Sequence, residues 1–391
     1  MCQGGSRHLT LRWMGDGPEA LTREVPAESK GLWSERKAAL RVCDLFAGLG
    51  GFSCGALEAG AEVVLAIDSD PVPLKLLGAN SPQTITVVAT LGKDPVKIPP
   101  AGPDFHIHMS TPCTELSIAR RGNTTLAVNT GLDMIRWAVE LVLNRGDYSW
   151  SLENVSTKTT RALLIELEAA YPDRVAFGVF DSADFGAPQS RVRLIAGNPR
   201  LIRMLQGMPC ARRVSVRDAF VKQGEALPAS YYKNQTRSHS GAPTMRTIET
   251  QSFTVCAGHA LTWCHADGKT VHVMTARESA ILMGFPLSWR LPKGSRVSQQ
   301  AVGNAVCVAL SKAITLAAIA VQKGEAAVTV AEPPARALPP PATKKRRFKG
   351  ISSEKHHSIL RRLDELERAV HICRDKDASA PEPPPAPAAP F

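Results

Sequence analysis

Cys113 lies just beyond an apolar run, Phe105-His-Ile-His-Met-Ser110, in the turn Thr111-Pro112-Cys113. Most free cysteines are small core residues. One on a loop at the carboxyl end of a strand is instead placed for nucleophilic chemistry, because open parallel sheets bind their ligands there. A second apolar run, Trp150-Ser-Leu-Glu153-Asn154-Val155, ends in a carboxylate and an amide. Taken alone, that ending reads as a turn or a helix cap. Arg191 and Arg193 stand two apart before a third apolar run, so on a strand they share one face. They form either an exposed basic edge that discourages edge pairing or a pair of cations pointing into a site.

A place for a cofactor is written in residues 40–70. Leu40, Val42, Leu45 and Phe46 give a short strand, and Gly48, Gly50 and Gly51 a turn in which missing Cβ atoms let a ligand approach. A helix through Ala56, Leu57 and Ala59 stops at Gly60. Residues 63–67 make a second strand ending in Asp68. Strand, glycine turn, helix and strand with a terminal acid is the arrangement of an adenosine-ligand site, the acid taking the ribose hydroxyls. Ser53 replaces the third glycine of the dinucleotide fingerprint.

These residues need elements to hold them. The pattern predicts a helix over 71–77, a strand over 84–88, a proline-rich loop over 95–103 and an amphipathic helix over 132–143 with Ile135, Val139 and Val142 on one side. Strands over 175–180 and up to Gly197 complete an α/β alternation, which calls for a parallel sheet covered on both faces. Periodicity stops over 201–270, a stretch rich in Arg, Ser, Thr, Gly and His that predicts a small irregular domain. It resumes at Thr275, the N-cap of a helix with Glu278 at the capping-box position and Gly284-Phe-Pro286 as its stop. A single long apolar helix is expected over 300–319.

Composition narrows the classes. The chain of 391 residues carries net charge +11, with a pI near 9.3, which suits a polyanionic partner. No apolar run suggests a membrane span, and no h-region suggests secretion. Nine cysteines, an odd number and without a Cys-x-x-Cys pair, point to a reducing compartment rather than a disulfide framework. His259, Cys264 and His265 lack regular metal-ligand spacing, so no metal is expected. Residues 1–39 read as a poorly ordered leader. Residues 326–391 read as a Pro-rich basic tail with a short helix over 353–373, a candidate for a weak protein partner. Its cluster Lys344-Lys345-Arg346-Arg347-Phe348-Lys349 is a nuclear-localisation or phosphate-binding signal, or a solubilising charge run. The chain is expected in the nucleus if eukaryotic or host-targeted, and in the cytoplasm otherwise.

The phrase Asp44-Leu-Phe-Ala-Gly-Leu-Gly-Gly-Phe52 resembles the cofactor loop of the cytosine-5 DNA methyltransferases. Pro112-Cys113, Glu153-Asn154-Val155, Gln189-x-Arg191-x-Arg193, Arg277-Glu278 with Gly284-Phe-Pro286, and Gln300-Ala-Val-Gly303-Asn304-Ala-Val306 resemble further motifs of that family, in the family's order. The resemblance covers about residues 40–320. It departs at Thr114-Glu115-Leu116, where the family usually has Gln-Gly-Phe. It implies a Rossmann-like methyltransferase domain from 40–200 and 271–325, with target recognition in 201–270. It also implies S-adenosylmethionine as cofactor and DNA as partner, with the target base flipped out of the duplex.

Residue by residue, Cys113 would add to carbon 6 of cytosine and Glu153 would hold N3. Arg193 would contact the base carbonyl, and Arg191 would support the loop and lower the thiol pKa. Phe46, Ala47, Gly48, Leu49, Gly50 and Gly51 would hold the methionine moiety, the Phe46 ring lying against the adenine. Asp68 would take the ribose hydroxyls, Ser69 would lie beside the adenine with Pro112 nearby, and Asn304 and Val306 would close the pocket. Asp94 is the candidate for the adenine amine. The same chemistry on transfer RNA is an alternative, although that subgroup's Cys-Phe-Thr is absent. A DNA-binding relative without catalysis and a nucleotide-dependent oxidoreductase are others.

Overall fold

The computed structural model describes residues 40–113, Leu116, 125–146, 149–237 and 243–325. The expectations for 1–39, for Thr114 and Glu115, and for the tail from 326 lie outside those residues.

The catalytic half alternates as its apolar runs dictate. In chain order it comprises β1 (Arg41–Leu45), α1 (Gly51–Glu58), β2 (Glu62–Asp68), α2 (Pro71–Asn80) and β3 (Ile85–Val88). β4 (Phe105–Ser110), α3 (Thr125–Arg145), β5 (Trp150–Val155), α4 (Lys158–Ala170), β6 (Ala176–Asp181), β7 (Val192–Gly197) and α5 (Pro199–Gln206) follow. The seven strands form one sheet in the order β3-β2-β1-β4-β5-β7-β6. Neighbours from β3 through β5 pair in parallel, whereas β7 runs antiparallel to both β5 and β6. The chain leaves β1 toward β2 on one side and β4 toward β5 on the other. Strand order therefore reverses between β1 and β4, the place where such sheets open a crevice at their carboxyl ends. Cores lie on both faces, one with Leu40, Val42, Phe52 and Ile195, the other with Cys43, Leu45, Met109 and Leu152.

Residues 201–270, expected to be irregular, hold regular structure. After α6 (Val216–Gln223) come β8 (Tyr231–Arg237), β9 (Pro243–Thr247), β10 (Thr262–Cys264) and β11 (Thr270–Val273). They make a four-stranded sheet ordered β11-β10-β8-β9. Its strands are short and polar, so alternation never shows, and aromatic contacts hold them. Trp263 meets Phe220 and Tyr232 edge-on, at 5.5 and 6.1 Å between ring centroids. The apolar cluster containing Trp263 and Tyr232 continues into that of Leu40 and Phe52.

The carboxy-terminal helices are α7 (Ala276–Met283), α8 (Ser295–Asn304) and α9 (Val308–Gln322). Thr275 and Glu278 form the capping box at the start of α7. The single helix expected over 300–319 is corrected to two, because Ala305 is extended (φ −63°, ψ 150°). At this break Val306 presents its carbonyl to Gly51, where an added Cβ would come within 2.3 Å of that oxygen. By length and composition Ser295–Gln322 could cross a membrane, yet it is mostly buried in the core. Gly55 lets α1 lie against α9, since a Cβ there would sit 2.5 Å from the Val308 carbonyl.

Candidate active site

Four parallel strands end at the crevice, and each brings a site residue. β1 runs into Phe46 and the glycine turn, β2 into Asp68 and Ser69, β4 into Pro112 and Cys113, and β5 ends in Glu153-Asn154-Val155.

The turn is fixed from three sides. Phe46 has a positive φ of 59°, a conformation costly for a side chain of its size. Its ring meets Trp137 of α3 edge-on at 6.2 Å. Gly48 (φ +52°) donates its N–H to Asp68 Oδ2 at 2.8 Å, and a Cβ on Gly48 would find no atom within 4 Å. Gly50 and Gly51 are crowded instead, by Leu77 and Trp289 and by Ala305 and Val306. Trp289 Nε1 donates to the Leu49 carbonyl at 3.1 Å. Open space at Gly48, just ahead of two packed glycines, is a cradle for a ligand rather than a bare turn. Asp68 also accepts the Asp70 N–H at 2.8 Å. Its two oxygens are thereby aimed, with lone pairs left for hydroxyl donors. Beneath the turn, buried Asp44 accepts the Ser53 hydroxyl at 2.6 Å, while its Oδ1 has no partner among the described residues. Burial raises the Asp44 carboxyl to about 7.

Ser69, Pro112 and Asn304 are exposed, whereas Val306 is buried. Asp94 accepts the Thr90 N–H at 2.6 Å, closing the loop that follows β3.

The reactive side carries the thiol. Asn154 Nδ2 donates to the Thr111 carbonyl at 3.0 Å and to its hydroxyl at 2.8 Å, which fixes the chain two residues before Cys113. Glu153, 8% exposed, is ion-paired through Oε1 with Arg193 Nε at 2.9 Å. Arg191 is buried and donates to the carbonyls of Val255 (2.8 Å), Gly303 (3.0 Å) and Ala305 (3.1 Å). It ties β7 to the break between α8 and α9. The lowering of the thiol pKa expected from Arg191 is present as one contribution, and it is outweighed. Burial, and then the charge of Glu153, push the Cys113 thiol above its usual range, and Arg193 and Arg191 offset this only in part.

Sequence reading left several of these residues without a role. Gln189 Nε2 donates to the Leu282 carbonyl at 2.9 Å and its Oε1 accepts the Val255 N–H at 3.1 Å, bracing the same joint. Trp289 carried no local signal, because its partner Leu49 is distant in sequence. His106 and His108 form a buried polar row with Ser149 and Ser151. Their signal was alternation of histidine on one strand and serine on the next.

A seven-stranded sheet of this order, with a glycine turn and a strand-end acid at its switch point, defines a methyltransferase-type α/β protein. A prophage-encoded protein of E. coli described as a DNA modification methyltransferase shares the fold. It superposes with a TM-score of 0.53 at 17% identity, covering 73% of this chain and all of that one. The family description C-5 cytosine-specific DNA methylase matches residues 40–198 and 205–320. The Type II methyltransferase M.HgiDI of Herpetosiphon aurantiacus is 25% identical over 294 residues, covering 70% of this chain and 92% of the relative. M.HindV of Haemophilus influenzae is 25% identical over 311 residues, covering 73% and 98%. The chain belongs to the C-5 cytosine-specific DNA methylase family and is a DNA cytosine methyltransferase. The family implies S-adenosylmethionine as methyl donor.

Proposed function

We propose that the protein methylates carbon 5 of cytosine through a covalent Cys113 adduct, on a base flipped out of the DNA. The observation that carries this reading is the placement of Cys113 beside the Glu153–Arg193 pair, at the same sheet edge as the glycine turn. Carbon 5 of cytosine is a weak nucleophile. Addition of the Cys113 thiolate to carbon 6 makes the ring enamine-like and drives electron density onto N3. Glu153, carrying a proton, hydrogen-bonds N3 and stabilises that density, while Arg193 holds Glu153 and faces the base carbonyl. After methyl transfer the proton leaves carbon 5, the sulfur departs, and the ring regains its aromaticity.

The cradle at Gly48, the aimed Asp68 carboxylate and the unpartnered Asp44 Oδ1 fit S-adenosylmethionine. When bound, it supplies an electrophilic methyl on a sulfonium. Asp68 would hold its ribose hydroxyls, Phe46 would wall its adenine, and Val306 would close the pocket against Gly51. A base stacked in a duplex cannot reach Cys113, which makes flipping part of the reading.

The test is DNA carrying 5-fluorocytosine at the target position. Fluorine cannot leave carbon 5 as a cation, so the protein stays attached. The adduct should require S-adenosylmethionine, survive denaturing electrophoresis and vanish in Cys113→Ser. Undiminished methylation by Cys113→Ser would rule out the covalent route.

A further inference from the structure

A row of polar side chains crosses the core between β4 and β5. The register sets His108 opposite Ser151 and Ser110 opposite Glu153, and strand alternation puts all of them on one face with His106 and Ser149. Ser149 Oγ lies 2.8 Å from His106 Nδ1, and His106 Nε2 lies 2.9 Å from Ser151 Oγ. Ser151 Oγ is 2.8 Å from His108 Nδ1, and His108 Nε2 is 2.8 Å from Ser110 Oγ. Both imidazoles are fully buried, and Phe52 of α1 lies flat on His108 at 3.5 Å. At the amino end of the strands, Ser149 borders a pocket of about 510 Å³ with Asp173, Asn198, Arg200 and Arg203. At the carboxyl end, Ser110 is the register partner of Glu153 on the neighbouring strand, and its hydroxyl, bonded to His108, would turn to the Glu153 carboxylate for the last transfer.

A sheet core gains nothing from such a row that valine and isoleucine would not supply. Every link, however, is a hydroxyl or an imidazole, groups that can donate and accept at once. Burial holds His106 neutral, pushing its pKa down to about 3, and a neutral ring passes a proton by exchanging its tautomer.

We propose that Ser149, His106, Ser151, His108 and Ser110 form a proton relay joining Glu153 to the pocket at the far edge of the sheet. The inference rests on the role given above to Glu153. That side chain is ion-paired with Arg193 and must take up a proton before it can donate to N3, at a site the flipped base and DNA would cover. A hydrated proton in the pocket passes to Ser149 Oγ, releasing neutral water, and the proton already on Ser149 passes to His106 Nδ1. His106 Nε2–H passes to Ser151, Ser151 to His108 Nδ1, His108 Nε2–H to Ser110, and Ser110 to the Glu153 carboxylate. One proton enters and one arrives; both imidazoles end as the other tautomer, and the reverse transfer resets them. The charged groups nearest this face include Asp44 of β1, Arg193 of β7 and Arg191 just before it. Beyond them lie the Glu58–Lys312 pair between α1 and α9, and Arg200 and Arg203 of α5 at the pocket.

The experiment compares single-turnover methylation by wild type, Ser151→Ala and Ser149→Ala across pH, with cofactor and DNA saturating. Both variants should be slower than wild type by roughly tenfold or more at about pH 8, and should approach it at about pH 6, where solvent protons are about a hundredfold more abundant. Ser149→Thr, which keeps the hydroxyl, should restore the rate lost in Ser149→Ala. Wild-type rates at every pH in both alanine variants would overturn the relay. So would a loss of the same factor at every pH, which marks a structural role only. Ser149 lies at the rim, so its variants keep the test open if Ser151→Ala melts early. A wild type that forms no 5-fluorocytosine adduct would sink the Glu153 reading itself; one that does, beside variants with unchanged profiles, sinks only the relay.

Discussion

Cys113 is a reluctant thiolate in the free protein, because burial and Glu153 both oppose its ionisation. Removing the Glu153 charge should therefore ease ionisation even as it removes the acid at N3. Glu153→Gln should react faster than wild type with iodoacetamide at Cys113 near neutral pH, yet methylate at least ~10²-fold more slowly. Peptide mass spectrometry of the alkylated protein would check the first effect, and slower labelling would mean that Glu153 does not sense the thiol. Asp44 permits a second test at this scale. Its folded-state pKa of about 7 exceeds the unfolded value, so the native state binds the extra proton between roughly pH 4 and 7. Stability contributed by the protonated form is complete below that window and lost as pH rises through it. Asp44→Asn keeps an acceptor for Ser53 but cannot ionise. It should melt higher than wild type at about pH 8, by an amount on the order of a few kcal/mol, and gain nothing at about pH 4. An equal shift at both pH values would show that Asp44 does not titrate in the fold.

Among the elements, the glycine turn separates binding from packing within four residues. Gly48→Ala meets no atom, so it should cost only the ~1–2 kcal/mol of left-handed backbone while weakening cofactor binding through the lost cradle. Gly51→Ala pushes a methyl onto the Val306 carbonyl and should cost ~1–3 kcal/mol of stability, several degrees in Tm. Calorimetry with S-adenosylmethionine beside thermal melts would check both; a Gly48→Ala protein with full affinity would remove that residue from the site. The same contrast explains what could be read beforehand. The capping box at Thr275 and Glu278, the strands Phe105–Ser110 and Trp150–Val155, and the stop at Gly284 were legible because their causes are local. The break at Ala305 was not, since the segment it packs against, at Gly51, lies some 250 residues earlier in the chain. Nor was the sheet of β8 to β11, whose strand Tyr231–Arg237 is polar and whose aromatics find one another only in space. In the site, residue types and strand ends pointed to Cys113 and Asp68, whereas Glu153 stood out only through its likeness to a family motif. Whether Arg191 faces the base or braces the frame depended on three carbonyls from distant segments.

At the scale of the whole molecule, the chain closes on itself: Trp289 holds Leu49, and Val306 meets Gly51. The carboxy-terminal helices thus wall the glycine turn, and α9 covers α1 through Gly55 and ends only at Gln322. A chain stopped at residue 325 keeps every one of these contacts, whereas one stopped at 300 loses the floor of the glycine turn. The shorter truncation should therefore remain folded and methylate DNA, and the longer one should do neither. What residue 325 does remove is charge, since residues 331–391 hold 12 Lys and Arg against 8 Asp and Glu, including Lys344, Lys345, Arg346, Arg347 and Lys349. If those cations rest on phosphates, each lost contact should lower the slope of log affinity against log salt by ~0.9. The protein ending at 325 should accordingly bind DNA more weakly at low salt, with affinities converging on those of the full chain as salt rises. Its single-turnover rate on saturating DNA should be unchanged. Equal salt slopes for the two lengths would place the tail off the DNA, and an inactive 325-residue protein would move the edge of the catalytic domain into the tail.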